Sequence, residues 1–147
     1  MPYRLAIAAG GKIERVIAEA EPHFILQGLR ILLVEDEAMV AMLMEGMLNE
    51  LGCTEVEWAA SVDAALKAIE TGDWDGALLD VNLGGTKVYP VAEVLRSRGL
   101  PFIFVTGYGR TEELHARFPD TPVLKKPFDA AQLARVIRKR ISGLPLS

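Results

Sequence analysis

The chain has 147 residues, enough for one domain with a full core and too few for two. Half of its residues are apolar and 24% are charged, as in an ordinary soluble domain, and a net charge of −4 gives no reason to expect nucleic acid or an anionic membrane as partner. Cys53 is the only cysteine, so no internal disulfide can form; no apolar run reaches membrane-spanning length, residues 5–9 are too short for a signal peptide, and a cytoplasmic location is expected.

Residues 1–29 stand apart from the rest, which begins at residue 30 and is read as one domain over 30–147. Lys12 to Ala20 can form a short helix with Ile13, Val16 and Ile17 on one side, and Gly10-Gly11 and Gln27-Gly28 bracket it as hinges. An ordered appendage, a dimerising arm and a flexible tail are all open, with a tail or loosely docked helix favoured. From Arg30 onward, strand and helix alternate five times. Strands are predicted at 30–35, 55–59, 76–80, 101–106 and 121–125, and helices at 37–51, 61–70, 87–98, 110–117 and 129–141. Ser61 and Asp129 are suited to cap helix starts, while Gly52, Gly72 and Gly99 lie where a helix end wants a left-handed residue. Such alternation implies a parallel sheet covered by helices on both faces.

Five polar residues end these apolar runs. Glu35 and Asp36 follow Ile31-Leu32-Leu33-Val34, Asp80 closes Ala77-Leu78-Leu79, Thr106 closes Phe102-Ile103-Phe104-Val105, and Lys126-Pro127 follows Pro122-Val123-Leu124-Lys125. Ligands of open α/β sheets bind beyond the carboxyl ends of the strands, so three carboxylates, a hydroxyl and an ammonium converge on one crevice. A phosphoryl group will not approach three carboxylates unaided. Mg²⁺ removes the conflict, taking oxygens from Glu35, Asp36 and Asp80 and from the backbone carbonyl of Asn82. Asp80, at the end of the central strand, is the candidate nucleophile that forms an acyl phosphate. Lys126 would pair with one phosphoryl oxygen and Thr106 would donate to another. A cis Lys126–Pro127 bond would suit this geometry. Each residue alone has a commoner structural role; the ordered set is what is specific.

With these residues in view, 30–141 resembles a bacterial response-regulator receiver domain. The matching pieces are Val34-Glu35-Asp36-Glu37, Leu79-Asp80-Val81-Asn82-Leu83, Val105-Thr106-Gly107 and Leu124-Lys125-Lys126-Pro127-Phe128. The resemblance implies a doubly wound, flavodoxin-like fold with five parallel strands in the order 2-1-3-4-5. It implies Asp80 as phosphoacceptor, Glu35 and Asp36 as Mg²⁺ ligands, and Thr106 and Lys126 as readers of the phosphoryl group. Lys126 is the site lysine because it directly precedes the proline, whereas Lys125 should point away. The implied donor is a sensor histidine kinase or histidine phosphotransfer protein. The implied output surface is the fourth helix, fifth strand and fifth helix, facing a protein partner or a second copy. Beyond its own phosphoryl transfer and loss, no enzyme activity is implied. Val123 departs from the pattern, since many receivers carry an aromatic switch residue there. Phe104-Val105-Thr106-Gly107-Tyr108 resembles a stand-alone subgroup, in which Tyr108 either takes over that aromatic's role or covers the loop.

Two other readings compete: a receiver-like interaction module that no longer uses phosphate, and a flavin- or nucleotide-binding domain. The intact set of five argues against the first, and Glu35-Asp36-Glu37, where a phosphate loop would be needed, argues against the second. Among weaker signals, Met39, Met42, Met44 and Met47 are expected to fill core, with Leu43, Met47 and Leu51 on the buried face. An exposed Met42 or Met44 would instead suit docking of a phosphodonor helix. Trp58 and Trp74 are expected to pack at strand edges, with Trp58 near the crevice. Cys53 is expected to be a buried thiol, and His23 and His115 have no ligand-spaced partners. The cations Arg135, Arg138, Lys139 and Arg140 are read as complementing a helix C-terminus.

Overall fold

A computed structural model describes residues 25–107 and 109–140. In chain order the elements are β1 (Arg30–Val34), α1 (Ala38–Glu50), β2 (Glu55–Ala59), α2 (Val62–Thr71), β3 (Gly76–Asp80) and the short strands β4 (Asn82–Leu83) and β5 (Thr86–Lys87). They continue with α3 (Tyr89–Ser97), β6 (Phe102–Thr106), α4 (Glu112–Arg117), β7 (Val123–Lys125) and α5 (Ala130–Arg140). Five strands form one sheet in the order β2-β1-β3-β6-β7, with every neighbouring pair parallel. This is the doubly wound order expected from the sequence, β6 and β7 being the fourth and fifth major strands.

Alternation along the strands divides the core into two layers. Ile31, Leu33, Leu78, Ile103 and Val105 pack with α1 and α5. Leu32, Val34, Leu79, Phe102 and Phe104 pack with α2, α3 and α4. The three inner strands are buried on both faces, and so read as continuous apolar runs. Burial begins ahead of β1, since Ile25 and Leu26 lie in the α1–α5 layer and Leu26 N–H donates to Leu51 O at 2.9 Å.

The helix starts have the expected chemistry. Ser61 Oγ accepts from Ala64 N–H at 3.1 Å. Asp129 and Gln132 cap reciprocally: Gln132 N–H donates to Asp129 Oδ1 at 2.8 Å and Asp129 N–H to Gln132 Oε1 at 2.9 Å. Gly52 and Gly99 have the left-handed φ of 95° and 70°. Gly72 does not, because its φ is −127°; glycine serves there because a Cβ would lie 3.1 Å from Trp74 Nε1 and 3.2 Å from Ala68 O.

Three sequence expectations need correction. The buried side of α1 carries Ala41, Met44 and Leu48, while Leu43 is 66% exposed with Met39 and Met42 beside it. An apolar residue at nearly every position of this helix leaves its phase unreadable from sequence. The third helix begins at Tyr89 rather than 87, because Asn82–Leu83 and Thr86–Lys87 form an antiparallel hairpin first. Trp58 is 45% exposed rather than packed, although Trp74 and Cys53 are buried as expected. The proposed helix over 12–20, His23 and Tyr108 lie outside the described residues. Among the described residues, no helix is long and apolar enough to cross a membrane.

Candidate functional site

Strand register brings the five residues together. Val34 pairs with Leu79, Asp80 with Val105 and Thr106 with Lys125, so neighbouring strands end almost level. The backbone continues this pairing past the ends: Glu35 N–H donates to Ala59 O at 3.1 Å, Val81 N–H to Val105 O at 3.0 Å, and Lys126 N–H to Thr106 O at 2.8 Å. The resulting cleft, of about 360 Å³, is lined by Asp36, Asp80, Asn82, Thr106 and Lys126 among others. The Lys126–Pro127 peptide is cis, as expected from the sequence.

Glu35 is fully buried, and Asp80 is 6% exposed. Lys126 Nζ lies 3.0 Å from Glu35 Oε1 and 3.7 Å from Asp80 Oδ2, so one ammonium serves both acids. Burial, reinforced by the charge of Glu35, pushes the Asp80 carboxyl up to about 7, while Lys126 and a backbone hydrogen bond from Asn82 oppose the rise. For Lys126, burial works to lower its pKa, but the hydrogen bond to Glu35 and the charge of Asp80 outweigh it and hold the ammonium above its usual range. This is a cluster of anions compressed by the fold and incompletely neutralised.

Glu35, Asp36 and Asp80 each offer a carboxylate oxygen, all within 4.8 Å of one another. Hard oxygen donors at that spacing, two of them buried, fit a divalent ion such as Mg²⁺. Gly84, in the β4–β5 turn beside Asp36, has φ 59°; a Cβ there would lie at an ordinary 3.7 Å from Asp36 Oδ2, so the left-handed backbone rather than space calls for glycine. Thr106 also lines the cleft, and Lys125 is exposed while its neighbour Lys126 lines the cleft.

Other contributors were only partly read from the sequence, which placed Trp58 near the crevice but gave it no role there. Trp58 Nε1 donates to Glu35 O at 2.6 Å and fixes the backbone that carries the buried acid. Glu37 also lines the cleft, and its N–H donates to Glu35 Oε2 at 3.2 Å. The hairpin was recoverable in principle: Gly84-Gly85 between short strands is a two-residue turn signal, and both glycines have positive φ. Val123, at the position of the usual switch aromatic, is half-buried against the same core as Phe104.

Fold and site together define a doubly wound α/β domain with a lysine-bridged acidic cleft at its strand ends. Residues 31–138 match the response regulator receiver domain family, and the chain belongs to it. It is 34% identical over 118 residues to the transcriptional regulatory protein DltR of Streptococcus agalactiae, covering 76% of this chain and 51% of DltR. It is 32% identical over 117 residues to TcrA of Mycobacterium tuberculosis, covering 77% and 46%. The chain thus spans about half the length of these curated relatives. The solution structure of SdrG from Sphingomonas melonis is 45% identical, with a TM-score of 0.66, and covers 74% of this chain and 92% of SdrG. The receiver domain of the sensor histidine kinase PA1611 from Pseudomonas aeruginosa, solved with a magnesium ion in its active-site cleft, is 28% identical with a TM-score of 0.69, covering 79% and 98%. The chain is therefore a receiver domain of the two-component signalling type.

Proposed function

We propose that Asp80 accepts a phosphoryl group from a phosphohistidine on a sensor kinase or phosphotransfer protein in the cytoplasm, and that the phosphorylated chain changes its affinity for a protein partner. The observation that carries this reading is the convergence of Glu35, Asp36, Asp80, Thr106 and Lys126 on one cleft. One Asp80 oxygen attacks phosphorus, the P–N bond breaks, and the imidazole leaves with its electron pair, giving an acyl phosphate. Lys126 shifts from its two acids to a phosphoryl oxygen, and Thr106 donates to another. Glu35, Asp36, Asp80 and the Asn82 carbonyl would hold Mg²⁺, which supplies the charge neutralisation that lets an anion enter. The donor approaches over α1, where Met39, Met42 and Leu43 form an exposed apolar stripe one turn beyond the cleft acids. Output runs through α4, β7 and α5, the loops leading into α4 and α5 starting at Thr106 and Lys126.

Incubation with acetyl phosphate and Mg²⁺, followed by intact-mass measurement and peptide mapping, tests the chemistry. We expect one phosphoryl adduct on the peptide containing Asp80, and none in a folded Asp80→Asn protein. Failure of wild type to take up phosphate under these conditions would leave the phosphate-independent interaction module as the better reading.

The coupling has its own test. Thr106→Ala is expected to retain the adduct at Asp80 while amide shifts induced by beryllofluoride in residues 109–117 fall to less than about half of their wild-type size, since the hydroxyl that follows the phosphoryl group is gone. Shifts of wild-type size there would mean that the signal does not pass through the threonine, and Tyr108 would be the next residue to examine.

A further inference from the structure

Net charge hides a strong internal division. Residues 30–80 contain twelve carboxylates and two cations, whereas residues 81–140 contain five carboxylates and eleven cations. The sheet order turns this linear division into a spatial one, because β2 and β1 lie on one side of β3 and β6 and β7 on the other. The cleft accounts for only four of the twelve acids, Glu35, Asp36, Glu37 and Asp80. On the opposite edge, a helix-dipole role covers the last turn of α5, with Arg138, Lys139 and Arg140, but not Arg135 one turn earlier or Lys125 on β7. Several cations of this half are engaged elsewhere: Arg96 pairs with Glu93, Arg98 donates to Ile69 O, and Arg117 lies over the Tyr89 ring. Lys125, Arg135 and Lys139 are exposed, and Arg135 and Lys139 lie four residues apart on α5, hence on one side of the helix. Of the five acids in residues 81–140, Asp129 is committed to capping α5, Glu93 pairs with Arg96, Glu112 and Glu113 lie in the first turn of α4, and Asp120 is exposed ahead of β7.

We propose that the β7–α5 edge is a docking surface for an acidic protein segment, with Lys125, Arg135 and Lys139 as its exposed charges. This rests on the reading of α4, β7 and α5 as the output surface, and names the chemistry of what binds there. Attraction of this type mainly sets encounter rate and partner choice, and weakens as salt screens it.

The full chain, isotope-labelled for amide NMR, is titrated with a short polyglutamate peptide at low salt, with polylysine as the opposite probe. We expect polyglutamate shifts concentrated in residues 123–140 and polylysine shifts in the half containing Glu55 and Glu57. The variant Lys125→Glu/Arg135→Glu/Lys139→Glu should weaken polyglutamate binding at least about tenfold, and Arg135→Ala/Lys139→Ala by less. Both variants should still label at Asp80, as none of these residues lines the cleft. The measurement is made without phosphodonor, so an inert Asp80 would sink the phosphoryl reading while leaving this result legible. Shifts scattered over the surface, or surviving the triple reversal, would overturn the proposal. So would duplex DNA displacing polyglutamate from these residues. Concentration-dependent dimers abolished by the same reversal would assign the edge to a second copy and equally overturn it.

Discussion

In the metal-free protein, Asp80→Asn is expected to raise stability by about 2–4 kcal/mol near pH 8 and by almost nothing near pH 4. The folded Asp80 carboxyl is pushed up to about 7 by burial and by Glu35, from an ordinary value of 3.8. The folded protein therefore binds this proton more tightly than the unfolded chain does. Below the unfolded value both states hold the proton and the site costs nothing. As pH rises through the window up to about 7, the unfolded chain ionises freely while the folded one resists, so stability falls with pH; above it the penalty is complete. Asparagine keeps the shape and cannot ionise. A thermal-melt series from about pH 4 to 8 in chelator should show the two proteins diverging by roughly 5–15 °C at the alkaline end. Parallel curves across this range would mean that Asp80 is not held in its neutral form by the fold. Saturating Mg²⁺ should shrink the gap, because the carboxylate is then the favoured form.

How much of this was legible in the sequence depends on what kind of signal each feature leaves. The inner strands were readable because burial on both faces forces unbroken apolar runs such as Phe102-Ile103-Phe104-Val105, and a polar residue ending such a run stands out. The site followed from the same logic, since the ends of parallel strands share one edge of the sheet. The phase of α1 was not readable. Met39, Met42, Leu43, Met44 and Met47 offer apolar residues on every side, and only the core layer built with Ile31, Leu33, Leu133 and Ile137 selects Met44 and Leu48. Trp58 does lie by the crevice, but its size wrongly suggested packing; it is half-exposed and its indole N–H holds Glu35 O in place. The relation of Lys126 to Glu35 spans 91 positions and exists only once β1 and β7 are placed in the sheet. The charge division was present in the sequence throughout, but it acquires meaning only from the strand order.

Lys126→Met should produce a loss of stability that grows with pH and is reversed by Mg²⁺. Methionine keeps most of the aliphatic stem and removes the ammonium that lies 3.0 Å from Glu35 and 3.7 Å from Asp80. Removing one partner of a buried ion pair commonly costs about 3–5 kcal/mol, because the other charge is left uncompensated. Here the full cost is avoidable at low pH. Lys126 is one of the groups holding the Asp80 pKa down, so without it Asp80 keeps its proton to higher pH and can donate to Glu35. The deficit is thus expected to be about 1–2 kcal/mol near pH 6 and to approach about 3–5 kcal/mol near pH 9, where Asp80 must ionise without the ammonium. Mg²⁺ should then stabilise the variant more than it stabilises wild type, since an ion that binds only the folded state adds stability according to its affinity, and the competing ammonium is absent. Melting curves at both pH values, with and without Mg²⁺, decide the matter. A deficit independent of pH would point to lost packing of the stem, and an Mg²⁺ response no larger than that of wild type would show that the ammonium and the metal do not compete for the same carboxylates. With competition, Lys126 is the cation that holds the cleft together until Mg²⁺ and a phosphoryl group release it.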